Sequence, residues 1–149
     1  MLCLAFTSCA ASAQTTTLVV DGSETAINLQ THAYYLRDPQ GKLDIDEVRA
    51  RDAQFLPANE RRDLNFSYTR DHLWLRVDIV SAAPERSNWM LEMRYASLDK
   101  VSLFSIGAAG MQQQHAGDTL PYSQRSIGHR NPVFSIELEP GEQRSLYIL

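Results

Sequence analysis

The chain has 149 residues, 44% of them hydrophobic and 21% charged, with a formal net charge of −4. That length suits one domain with a core large enough to fold alone. Its mild acidity, with Arg and Lys scattered singly and no basic stripe, argues against nucleic acid or an anionic membrane surface as partner.

Met1 to Ala13 carries no charge and is rich in Leu, Ala, Phe, Cys and Ser. It ends Ala11-Ser12-Ala13-Gln14, the small-x-small pattern that signal peptidase accepts because its pocket admits only short side chains. Residues 1–13 are therefore expected to be a signal peptide and 14–149 the exported domain. No Lys or Arg precedes Leu2, which points to a start upstream of Met1. Both cysteines, Cys3 and Cys9, fall inside the leader, so the mature domain has no disulfide, thiol nucleophile or thiolate metal site. Phe6-Thr7-Ser8-Cys9 loosely resembles a lipidation box and ranks second as a processing signal.

Leu18-Val19-Val20 is a short candidate strand before the turn Asp21-Gly22-Ser23. Asp38-Pro39-Gln40-Gly41 is a second turn, with Pro presetting φ and Gly tolerating φ > 0. Asp44-Ile45-Asp46-Glu47 reads as a capping box opening a helix from Ile45 to about Arg51, with Ile45 and Val48 buried and Pro57 barring continuation. From Asp63 the period becomes two. Leu64, Phe66 and Tyr68 alternate with polar neighbours, as do Leu73, Leu75, Val77 and Ile79, then Trp89, Leu91 and Met93, then Phe134, Ile136 and Leu138. Turn signals separate these runs at Ala83-Pro84-Glu85, Gly107–Gly110, Gly117-Asp118 and Pro140-Gly141. Half-buried strands between regularly spaced turns predict an all-β sandwich with one short helix. No stretch approaches the roughly 18 apolar residues that span a bilayer. The strand-like Ser145-Leu146-Tyr147-Ile148-Leu149 has no polar tail, as expected of a fragment whose membrane span lies beyond Leu149.

Chemistry-bearing motifs are sparse. The four histidines, His32, His72, His115 and His129, form no His-Glu-x-x-His pair, and His115, Asp118 and His129 fit no ligand spacing. There is no nucleophile elbow or phosphate loop. No catalytic residue, metal or cofactor is expected. Candidate ligand residues come from alternation instead. With Leu73, Leu75, Val77 and Ile79 facing the core, Trp74, Arg76 and Asp78 share the opposite face of their strand. An indole beside an Arg and a carboxylate suits a polar ligand with an apolar side, such as a sugar. Arg94 would join them if its strand is adjacent. The competing reading packs Trp74 under a loop and pairs Arg76 with Glu92 for stability. Asp118 and Arg125, with Arg130 beyond, sit in a loop where they could meet an anion or pair with each other.

Trp74-Leu75-Arg76, Leu91-Glu92, Leu98-Asp99-Lys100-Val101-Ser102-Leu103-Phe104, Gly117-Asp118-Thr119-Leu120-Pro121-Tyr122, Arg125, Arg130, Leu138-Glu139-Pro140-Gly141 and Leu146-Tyr147-Ile148 follow one another in order. That order, from about Asn28 to Leu149, resembles the type 2 extracellular domain of bacterial seven-transmembrane receptors with diverse intracellular signalling modules. The resemblance implies an antiparallel jelly-roll-like sandwich, similar to carbohydrate-binding modules, in the periplasm as part of an inner-membrane protein. It further implies a small carbohydrate-like ligand, the receptor's own transmembrane domain beyond residue 149 as partner, and a cytoplasmic kinase or diguanylate cyclase as output. A homodimer is compatible with such a receptor, and no enzymatic activity is expected. A freestanding secreted carbohydrate-binding, hydrolytic or protein-interaction module is the alternative. The processing reading has a direct check: N-terminal sequencing of the exported protein should begin at Gln14, whereas soluble protein retaining Cys3 would refute it.

Overall fold

The computed structural model of the chain describes residues 16–58, 69–95, 97–125 and 127–149. The expected leader, and the alternating run of Leu64, Phe66 and Tyr68, lie outside the described residues. Nine strands are present among them: β1 (Leu18–Val20), β2 (Tyr34–Asp38), β3 (Leu56–Pro57), β4 (His72–Ser81), β5 (Ser87–Glu92), β6 (Val101–Gly107), β7 (Gly110–Ala116), β8 (Val133–Leu138) and β9 (Gln143–Ile148). The fold is all-β with one short helix, α1 (Ile45–Arg49).

The strands form a seven-stranded sheet, in the order β3-β2-β4-β9-β6-β7 with β1 beside β4, and a separate β5-β8 pair. Every pairing is antiparallel except β1 with β4, which is parallel. β1 takes the position along β4 beyond the reach of β2: β2 pairs His72 to Arg76, and β1 pairs Ile79 to Ser81. The last strand, β9, returns to lie between β4 and β6. A full jelly roll winds eight strands into two Greek keys. Here, among the described residues, β6 and β7 stay in one sheet as a hairpin, and two strands make the second sheet.

Alternation explains why two layers form. Leu75, Val77 and Ile79 of β4, Leu146 and Ile148 of β9, and Val101 and Leu103 of β6 all point to one side. They meet Leu91 of β5 and Phe134, Ile136 and Leu138 of β8 in the main core. Leu75, Val77, Leu91, Phe134 and Ile136, all from the alternating apolar runs, are buried there. The two sheets are also tied at an edge. The Gln114 amide of β7 donates to the Ser135 carbonyl of β8 at 2.7 Å and accepts from its N–H at 3.3 Å, standing in for a neighbouring strand.

A second cluster lies on the opposite face of the large sheet, where Tyr34, Leu36, Trp74, Phe104 and Tyr147 are covered by Val48 and Phe55. The covering segment is organised by two carboxylates. Buried Asp38 accepts the backbone N–H groups of Gln40, Gly41 and Leu43, which closes the turn after β2. These bonds overcome burial and hold its carboxyl below the usual range. Asp44 then caps α1: its Oδ1 accepts from Glu47 N at 2.8 Å, and Glu47 Oε2 accepts from Asp44 N at 3.0 Å. The helix stops at Arg49, short of the expected Arg51, and a 3₁₀ turn over Asp52–Gln54 carries the chain to Phe55. Among the described residues no helix is long and apolar enough to cross a membrane.

The two-layer packing sets an expected mutational contrast. Leu75→Ala should lower stability by about 2–5 kcal/mol, as buried Leu deletions do. Met90→Ala, on the exposed side of β5, should stay within about 0.5 kcal/mol. Denaturant melts of both variants measure the difference.

Candidate functional site

Strand register assembles a polar group on the outer face of the large sheet. Arg76 on β4 lies opposite Tyr34 on β2 and Tyr147 on β9, while Asp78 lies opposite Ser145 on β9, itself opposite Ile106 on β6. α1 is too short to cover this part of the face. What remains is an open depression of about 240 Å³ lined by Arg49, Asp52, Arg76, Ile106, Ser145 and Tyr147.

Arg76 is its centre. The side chain is 12% exposed and held by two carboxylates: Nη1 lies 2.7 Å from Asp52 Oδ1, and Nη2 lies 2.9 Å from Asp78 Oδ2. Nε also donates to Asp78 Oδ1 at 3.3 Å, and the guanidinium stands 5.6 Å from the centroid of the Tyr147 ring. Ser145 donates to Asp78 Oδ1 at 2.6 Å, and the Tyr147 hydroxyl donates to Asp52 Oδ1 at 3.2 Å. Burial pulls the Arg76 pKa down, but the charges of Asp78, Tyr147 and Asp52 outweigh it and raise the pKa overall. The Tyr147 phenol is pushed up to about 12, first by burial, with Arg76 opposing and Asp52 adding to the rise. Neither of these two groups changes charge near neutral pH, so Arg76 and Tyr147 present fixed hydrogen-bonding groups to the depression.

The structure separates the residues expected to act together. Arg76 lines the depression, and Asp78 holds the Arg76 guanidinium from beside it. Trp74 does not reach it: the side chain is 1% exposed, stacked 5.7 Å from Phe104 beneath α1. The face expected to be open at Trp74 is closed because Val48 and Phe55 need an apolar surface to bury against, and the indole supplies it. Its Nε1 is buried without a hydrogen-bond partner among the described residues. Arg94 lies two residues past the end of β5, which pairs with β8 and not with β4. Exposed, it pairs with Glu92 at 3.3 Å. Glu92 is therefore not the partner of Arg76. Its carboxyl is held below the usual range by the Asn131 amide, which donates to it at 2.7 Å, despite slight desolvation and with Arg94 helping.

Asp118 and Arg125 occupy a third place, the loop after β7, at the Val101 end of β6. Ile106 of the depression is five residues further along that strand, a rise of about 16 Å. Arg125 organises this loop from within. It donates to the carbonyls of Leu120 (3.2 Å), His129 (3.2 Å) and Asp118 (3.4 Å), approaches the Asp118 carboxylate at 4.0 Å, and lies 5.8 Å from the Tyr122 ring. The loop starts at Gly117, whose φ of +132° and close approach to Asp99 leave no room for a side chain: a Cβ would stand 2.5 Å from the Asp99 carbonyl oxygen. His115 contacts Ser102 Oγ at 3.0 Å, and His129 Nδ1 accepts from Asn131 N.

Five lining residues, Arg49, Asp52, Ile106, Ser145 and Tyr147, were not singled out from sequence as site residues. For two of them the signal was present. Ser145 and Tyr147 alternate with the core residues Leu146 and Ile148, so they belong to the face of Arg76 once β9 is placed beside β4. Asp52 gives no local sign, because its role depends on where the 3₁₀ turn folds back onto the sheet.

Over residues 30–149 the chain matches the family described as 7TMR-DISM extracellular 2, in line with the resemblance read from the ordered motifs. The chain belongs to that family. It is an extracellular sensor domain of the seven-transmembrane receptor class, which places it outside the cytoplasm. None of the curated proteins matches it.

Two consequences of this geometry are testable. Asp78 lies on the face of β4 opposite the main core, yet its oxygens meet Arg76 and Ser145 at low exposure. Asp78→Ala should therefore lower stability by about 1–3 kcal/mol, the penalty of leaving buried polar groups short of a partner. In alkali, an unfolded Tyr titrates near pH 10, below the folded Tyr147 at about 12. The folded state thus keeps its proton longer, and the stability this gives is complete below about pH 10 and lost as pH rises towards about 12. Tyr147→Phe should remove that part of the alkaline decline, read as the difference between the two proteins' melting temperatures across this range.

Proposed function

We propose that this sensor domain binds a small hydroxyl-rich ligand of the carbohydrate class in the depression around Arg76. Binding is its whole task, with no catalytic step. In the intact receptor it would sit in the periplasm and signal through transmembrane helices to a cytoplasmic kinase or diguanylate cyclase. The observation that carries the reading is the lining itself. A small concave site offers guanidinium, carboxylate and hydroxyl groups around one aliphatic residue, Ile106. Sugar hydroxyls both donate and accept, so they can meet Arg and Asp together, while a ring C–H face can rest on an aliphatic side chain. Family membership supports a sensing role.

The rim residue Arg49 gives the test. It is half-exposed and pairs only loosely, at 3.5 Å, with Asp46. Arg49→Ala should leave the unliganded melting temperature almost unchanged. A thermal-shift panel of neutral and acidic monosaccharides should stabilise the wild type as mass action requires, and the variant less at equal concentration. A panel that shifts neither protein would refute the assignment.

A further inference from the structure

We propose that the ligand carries a carboxylate and that Asp52 is its built-in stand-in, which the ligand displaces to release the α1 segment from the sheet. This rests on the depression being the ligand site. The two carboxylates on Arg76 are not equivalent. Asp78 belongs to the same strand, is 13% exposed, and is also bonded by Ser145. Asp52 arrives from the 3₁₀ turn after α1 and is 49% exposed. A single oxygen, Oδ1, takes both the Arg76 Nη1 contact and the Tyr147 hydroxyl. An ion pair with one member this open to water is readily exchanged, because solvent already offers Asp52 an alternative.

What can replace Asp52 is set by Arg76. A nearly buried guanidinium needs its counter-charge, so a neutral sugar pushing Asp52 aside would leave it undercompensated. A ligand carboxylate substitutes charge for charge in the planar geometry that a guanidinium prefers. Arg49 pairs with Asp46, and Arg76 with both Asp52 and Asp78. With Asp52 withdrawn, Arg76 keeps Asp78 and has its Nη1 position left for a ligand carboxylate.

A separate observation points to the same segment as the part that moves. With Val48 of α1 and Phe55 packed over it, Trp74 is buried and its indole Nε1 has no hydrogen-bond partner among the described residues. Closure thus leaves a buried donor unsatisfied, which opposes it. The Asp52 contacts to Arg76 and Tyr147 counter that penalty and latch the segment. An acidic ligand would take the latch for itself.

The experiment uses sugar pairs that differ at one carbon: D-galacturonate against D-galactose, and D-glucuronate against D-glucose. Titration calorimetry should show a uronate binding at least about tenfold more tightly than its neutral partner, a difference of about 1.4 kcal/mol. Asp52→Ala, and Asp52→Asn with its preserved shape, should bind that uronate several-fold more tightly than wild type, because the internal competitor is gone. In a Trp89→Phe background, which leaves Trp74 as the remaining tryptophan, acrylamide quenching should rise when the uronate is added. In Asp52→Ala it should be high from the start. Equal binding of uronate and neutral sugar would overturn the carboxylate inference while leaving the depression a sugar site. A uronate preference without tightening in either Asp52 variant would overturn the stand-in role. Binding of neither member of either pair, in wild type or variants, would overturn this inference and the sugar reading together.

Discussion

A sheet whose central strand carries large side chains on both faces must be covered on both, and β4 imposes that condition here. Leu75, Val77 and Ile79 demand one layer, and Trp74 demands another. The β5-β8 pair meets the first demand along the length of the strand. The second falls to α1 and the 3₁₀ turn, and they are too small for it. Five helical residues span about 7.5 Å, whereas the ten residues of β4 run for about 33 Å. Among the described residues, the helix therefore covers the Trp74 end and leaves the stretch beyond it open. Arg76, Asp78 and Ser145 occupy the uncovered stretch, where polar groups can be satisfied without a lid. The depression is thus a product of incomplete coverage of one sheet face.

Placing Arg76 there has an electrostatic condition. Its stem lies among Tyr34, Tyr147 and the strand backbone, so the guanidinium is largely removed from water and would be unstable alone. Asp78, two residues along the same strand, is on the same face by the strand period and supplies one carboxylate at no cost in topology. Asp52 supplies the other from a distant segment, and so ties the covering layer to the sheet. One side chain thereby links the closing of the second core to the polarity of the site. Tyr147 shares in both, with its ring against Phe55 and its hydroxyl on Asp52.

This division also explains what was legible in the sequence. The period of two in Leu73–Ile79 and Phe134–Leu138, the Asp44–Glu47 capping box and the glycine turns are local signals, and each marks an element that is present. Alternation likewise put Trp74, Arg76 and Asp78 on one face, as observed. It could not say what covers that face, because α1 lies more than twenty residues away in the chain and its docking is a tertiary event. The same limit applies to Arg94, whose usefulness depended on which strand β5 would join. Arg125 was ambiguous for another reason: a guanidinium that braces a loop through carbonyls and one that waits for an anion look alike until the carbonyls are placed. Sequence identifies which side of a strand a residue takes, and the partners brought from elsewhere decide its use.

For a sensor, the contrast between the two layers matters more than the shape of the depression. The residues of β9 that face the site, Ser145 and Tyr147, alternate with Leu146 and Ile148, which are locked in the main core. Shifting β9 would disturb that core at every second residue, and close-packed interiors resist small continuous deformation. The α1 segment is bound differently. Its apolar anchors are Val48 and Phe55, assisted by partly buried Leu43 and Ile45, and its polar latch is one half-exposed carboxylate. Free energy for moving the segment is thus concentrated in a few contacts, several of which border the depression. A ligand need only compete with Asp52 to bias the segment, whereas to bias the sheet it would have to repack the core. The same fold thus provides a rigid platform that positions Arg76 and a lightly held cover that can respond to what Arg76 binds.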